Sequence, residues 1–320
     1  MKYPFIVLLL ISVCLAGPIL NAKTAEAEFI DTMEFVLHSG FRLDQIDWNI
    51  AGYAPVSQGG QYVNVLSELD WKDIEIWQIG VSGKVSIGNN TASYNTYIRS
   101  SLDYGWISDG TVRDSDYNSN NRTDEYSRSI SATEDDDMLD FSIGLGFEKK
   151  YWQDRLTLGF LGGYSYHEQN LRLTNGVQVI PDAGPFAGLN STYASKWQGP
   201  FAGIDLELHP SPRFSLLGSI EYHWSDYEAE ADWNLKTNWA HPVSFRHDTD
   251  EADGLIATLR GNYLFNKDWS LDLILVYRDF SAKEGLVRTF LAGGTTVITK
   301  FNEANWQSSA FTLGFTYNFR

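Results

Sequence analysis

The chain has 320 residues, a formal net charge of −17 and an aromatic content of 14%. The negative balance excludes a nucleic-acid partner, whose phosphates it would repel, and argues against simple adhesion to anionic lipid. Beyond the N-terminus no run approaches the ~18 consecutive apolar residues of a membrane-spanning helix, so helical spans are excluded too.

The first element is a leader. One Lys precedes an apolar run from Phe5 to Ala16, too short for a span and suited to a secretory signal covering 1–22, with cleavage as late as 27 as the alternative. The single cysteine, Cys14, lies in that run, so no disulfide is expected in the mature chain.

From there the dominant pattern is alternation. In "MLDFSIGLGFE", Leu139, Phe141, Ile143, Leu145 and Phe147 share one face, against Asp140, Ser142 and Glu148. "RFSLLGSIEYHWSD" sets Phe214, Ile220, Tyr222 and Trp224 against Ser215, Ser219, Glu221 and His223. Leu161, Leu217 and Ile274 break the alternation, so the inner face is not purely polar. The pattern predicts about ten strands, near 41–56, 62–83, 85–99, 137–151, 155–173, 196–208, 213–232, 253–266, 269–282 and 306–319. Tight turns at "KYWQD", "HPSPR" and "NKD" alternate with long polar loops near 100–136, 174–195, 233–252 and 283–305. Segment 114–137, acidic and rich in Ser and Asn, reads as a mobile solvated loop.

An exported chain, polar on average and rich in aromatics, fits an all-β transmembrane antiparallel barrel, with short periplasmic turns and long extracellular loops. Closure spares the sheet an edge in lipid. Phe214 and Tyr222–Trp224 are spaced to meet the two membrane interfaces. The alternating C-terminal strand ends at Phe319, as the barrel-assembly machinery expects of its clients. No zinc-protease, phosphate-loop or serine-nucleophile motif is present, and no metal or other cofactor is expected.

"LSELDWK" (66–72), "GGYSYHEQNLRLTNG" (162–176) and "YASKWQGPFAGIDLE" (193–207) resemble the omptins, ten-stranded outer-membrane proteases of Gram-negative bacteria. The sequence is also similar to outer-membrane proteins of chlamydia-like bacteria, for which a porin role is claimed. The omptin resemblance implies a cleft at the extracellular mouth. Two aspartates on one wall would face an Asp–His dyad on the other, with a water between them attacking a peptide carbonyl. The family's D-x-D-W resembles Asp103-Tyr104-Gly105-Trp106, and its D-x-H falls at Asp232-Trp233-Asn234. Gly105 and Asn234 thus stand where an aspartate and the histidine are expected; His241 is the nearest substitute base if its loop folds back. The resemblance also implies lipopolysaccharide contacts at Tyr164 and Lys196. The sequence therefore predicts a surface, structural or ligand-binding barrel without intact omptin chemistry. The alternatives are an endopeptidase using Asp103, Asp232 and His241 on peptide substrates, and a porin.

Overall fold

The computed structural model describes residues 30–55, 59–88 and 94–319; the expected leader lies outside them. The strands, in order, are β1 (Ile30–Tyr53), β2 (Tyr62–Ile87), β3 (Asn95–Ser119), β4 (Thr123–Thr133), β5 (Asp136–Tyr151), β6 (Leu156–Ile180) and the two-residue β7 (Gly184–Pro185). They continue with β8 (Ser191–Ser211), β9 (Phe214–Asp232), β10 (Phe245–Leu264), β11 (Trp269–Ala282), β12 (Gly285–Phe290) and β13 (Thr296–Phe319). Neighbours pair antiparallel, and β1 also pairs with β13, which closes the sheet. β4 and β5 together make one stave of the wall, and β11 and β12 another. The result is a ring of ten antiparallel strands, the predicted count.

The three predicted tight turns are present, but the loop predictions are corrected. Segment 100–136 is the upper part of β3, a turn at 120–122, β4 and the start of β5, not a solvated loop. The third strand starts at Asn95, not at 85, and β6, β8, β10, β12 and β13 occupy much of the other predicted loops. The polar composition misled because these strands rise above the lipid, where both faces tolerate polar side chains. β2, with 26 residues, is about 85 Å long at ~3.3 Å per residue, several times the ~25 Å apolar band of such barrels.

The lipid-facing band is plain. Ile79, Ile143, Leu145, Ile204, Ile220, Leu259 and Leu313 are exposed between two aromatic girdles. Trp77, Trp106, Tyr164 and Trp224 mark the upper girdle, and Phe147, Phe160, Phe214, Tyr263 and Trp269 the lower. Inside the band sit charge layers. Arg99 meets Asp205 at 3.0 Å, and Arg260 meets Asp272 at 2.7 Å. Higher up, Asp140 receives Arg42 at 2.6 Å, His167 Nδ1 at 2.9 Å and Arg278 at 3.4 Å. Leu161 and Ile274 are buried among these layers, as their break in the alternation predicts.

Above the band an aromatic core fills the barrel: Trp71, Tyr193, Trp197, Tyr227, Phe280, Phe301 and Trp306 are at most 1% exposed. Aromatic burial of this size is the main apolar driving force available to a barrel whose lower interior is polar.

Just above the upper girdle the hydrogen-bond ladders are interrupted around much of the circumference. Register shifts occur at Asp44/Ile46 on β1, between Lys72 and Ile76 on β2, and at Thr249/Ala252 on β10. The two divided staves break at a similar height, at 134–135 and 283–284.

Candidate functional site

The predicted residues fall at two levels. Asp103 lies on β3 with Gly80 and Asp140 as cross-strand neighbours. It is 6% exposed, and His38 Nε2 stands 3.6 Å from its Oδ1. The charges acting on it are His38, Arg278, Asp140 and Arg42, all groups of the barrel interior. Gly105 is part of the same wall: a Cβ there would lie 2.6 Å from Ile76 Cγ2 and 3.0 Å from Met138 Cε. The Asp103–Gly105 stretch therefore sits at girdle height, packed into the wall, and not at the rim.

Asp232 and His241 come together at the rim. β9 ends at Asp232, and two tight turns follow, with Lys236 N donating to Trp233 O and Trp239 N to Lys236 O, each at 2.9 Å. These turns fold the chain back, so that His241 Nδ1 hydrogen-bonds Asp232 Oδ1. The Ser244 hydroxyl braces the turn by accepting from Trp233 N at 3.0 Å and donating to Ala240 O at 3.0 Å. Asn234 serves the loop: its Oδ1 accepts from Asn190 N at 3.0 Å, and its Nδ2 donates to Gly188 O at 2.7 Å.

A second acidic pair, not singled out from the sequence, stands on β3 well above the girdle. Asp114 and Asp116 share the inner face with buried Val112 and Asn118. Both are half-buried, yet enclosed by the wall around them. Burial first, then the charge of Asp116, pushes the Asp114 carboxyl well above the ordinary carboxylate range. Burial also raises Asp116, against hydroxyl hydrogen bonds from Ser67 and Ser127. Tyr126 on β4 is pushed up to about 12 by burial and by these two carboxylates. Lys236 is the cation whose charge acts on both Asp114 and Asp116, and it belongs to the loop that carries Asp232 and His241. The sequence signal was available: Asp114-Ser115-Asp116-Tyr117 is itself an Asp-x-Asp followed by an aromatic. It was hidden inside a stretch whose composition reads as loop.

On the outer wall, Tyr164 is 47% exposed, and Lys196 lies on the adjacent strand between Glu168 and Glu228 in register. The two face the same way but are four residues apart along β8, since Tyr164 pairs with Pro200.

A family described as Pom, Protochlamydia outer membrane protein, matches residues 36–319. The chain belongs to this family. The Protochlamydia-type barrel is an outer-membrane protein set in membrane lipid. No curated protein matches its sequence. Among solved structures, the outer membrane protease OmpT from Escherichia coli aligns at TM-score 0.70 and 14% identity, over 93% of this chain and 100% of that one. The translocator domain of autotransporter NalP from Neisseria meningitidis gives 0.33 and 11%, over 96% and 93%. A Pseudomonas aeruginosa FadL homologue gives 0.32 and 13%, over 90% of each chain. The likeness to OmpT establishes a shared barrel fold.

Proposed function

We propose that this barrel hydrolyses peptide segments at its extracellular mouth, with Asp114 and Asp116 on one wall and the Asp232–His241 pair on the other. The observation that carries the reading is the hydrogen-bonded His241–Asp232 pair, on the same loop as the cation acting on the opposite acidic pair. In this reading Asp232 orients the imidazole, and His241 takes a proton from water through Nε2. The acidic pair, raised by burial and mutual charge, shares a proton and hydrogen-bonds the attacked carbonyl or the water. Gly105 and Asn234, which stand where the omptin resemblance expects an aspartate and the histidine, serve the packing of the wall and the bracing of the loop.

The packed interior supports a mouth closed below over an open channel. Lipopolysaccharide contact through Tyr164 and Lys196 stays part of the proposal, as an outer-wall support for the fold.

The test uses purified full-length protein, refolded with lipopolysaccharide and given a fluorogenic peptide library. Wild type cleaves; His241→Gln loses about 10²–10⁴ of kcat, and Asp103→Ala changes little. If the folded wild type cleaves no peptide at any pH, the hydrolytic reading fails, and a ligand-binding barrel takes its place.

A further inference from the structure

The net charge of −17 conceals an asymmetry between the two ends of the barrel. On the extracellular side most exposed cations are matched: Arg246 with Glu230 at 2.6 Å, Lys283 with Asp253 at 2.8 Å, and Lys300 with Glu284 at 2.6 Å, the exception being Lys236, which lies over the Trp239 ring at 6.0 Å. At the short-turn end, among the described residues, Lys149, Arg155 and Arg213 have no carboxylate in ion-pair range. Lys267 meets only its neighbour Asp268, at 3.8 Å, with its own side chain 81% exposed.

The position of Lys149 gives this collar its meaning. It lies on the lipid-facing column of β5, two residues beyond Phe147. Its Nζ sits 5.1 Å from the Tyr94 ring centroid and 5.4 Å from that of Tyr151. Cation–π contact on both sides holds the ammonium where the lower girdle ends, at the depth of lipid headgroups. Trp152, 73% exposed, marks the same depth. Arg155 and Arg213 come from adjoining turns, and the Arg155 carbonyl accepts from His209 N at 2.8 Å. Four cations thus lie at an interface where the exposed acid of the turns is Asp154, with Asp268, Glu207 and Glu34 only part-exposed.

We propose that this collar binds the phosphate groups of anionic phospholipids in the periplasmic leaflet. Aromatic rings fix its depth, and unpaired charge supplies the attraction that the acidic remainder of the chain lacks. The inference does not depend on hydrolysis at the other end.

The test places the full chain in nanodiscs of phosphatidylethanolamine, alone or with about one-fifth phosphatidylglycerol, and measures by mass spectrometry the lipid retained after mild detergent extraction. Phosphatidylglycerol is expected to be enriched over its bulk share, and the enrichment to fall about fivefold per charge removed in Lys149→Gln, Arg155→Gln and Lys267→Gln. Arg246→Gln, at the opposite end, should leave it unchanged. Lys267→Gln alone, on an exposed turn, serves if the combined variant does not fold. Equal retention by wild type and variants overturns the proposal, as does a thermal shift reproduced by inorganic phosphate without lipid.

Discussion

Replacing Asp140 by Ala tests the central claim about the barrel interior. The carboxylate is 4% exposed and receives Arg42 Nη1 at 2.6 Å, Arg278 Nη2 at 3.4 Å and His167 Nδ1 at 2.9 Å. Arg42 keeps Asp44 at 2.5 Å, but Arg278 already has Nε and Nη1 without protein partners and would lose Asp140 as well. Removing one partner from a buried ion pair typically costs about 3–5 kcal/mol, because the other charge stays buried and uncompensated. With two arginines involved, the upper half of that range is expected. The comparison is Glu284→Gln, which breaks an exposed pair with Lys300 and should cost under about 1 kcal/mol. Urea unfolding in lipid vesicles, followed by tryptophan fluorescence and heat-modifiable gel migration, gives both values. Equal, small losses for the two variants would refute the view that this layer is a low-dielectric network without free access to water.

Two further outcomes follow from packing and charge. His247 is 1% exposed among Trp48, Phe245 and Phe301, above the membrane, and burial pushes its imidazole down to about 3. The unfolded value is about 6.5, so between these values the unfolded chain binds a proton that the folded chain refuses. Stability is therefore full above about pH 6.5 and falls as pH drops toward 3; His247→Phe should flatten that slope, worth several kcal/mol at most, in thermal melts from about pH 7 to 4. An unchanged profile would show that His247 is hydrated and able to take up charge. Gly80→Ala would set a Cβ against Asp103 Oδ1 and 2.5 Å from His38 Cε1, for an expected loss of about 1–3 kcal/mol. Gly218→Ala, with nothing within 4 Å of its added Cβ, should be nearly neutral, and a Gly80→Ala melt indistinguishable from it would show the His38–Asp103 contact to be loose.

The membrane storey was legible in the sequence because hydrocarbon enforces strict alternation. Ile143, Leu145 and Phe147 on β5 point out in the structure as their spacing requires. Above the girdles nothing enforces it. In "DSDYNSNNRTDEYSRS" the strand register depends on contacts distant in sequence, such as Tyr117 OH to Glu68 at 2.6 Å and Arg122 to Glu68 at 2.6 Å. Composition alone cannot report such partners, so an ordered hairpin carries the composition of a loop and hides the Asp114–Asp116 pair within it. The rim histidine shows a different limit. A dyad two residues apart is a pattern in sequence, but one nine residues apart, Asp232 with His241, exists only once the turns at Trp233–Trp239 are formed.

The broken ladders above the upper girdle loosen the mechanical link between the two storeys, which the β1–β13 and β6–β8 ladders, unbroken at that height, still join. Opening spreads through a sheet by neighbouring backbone bonds, and where these are skipped the spread is checked. Lipid clamps the lower section, whereas the upper section is held to it by fewer continuous ladders. Amide exchange should rise sharply at that belt before either section exchanges. A visitor entering from outside thus strains a compliant collar and leaves the seal across the membrane undisturbed.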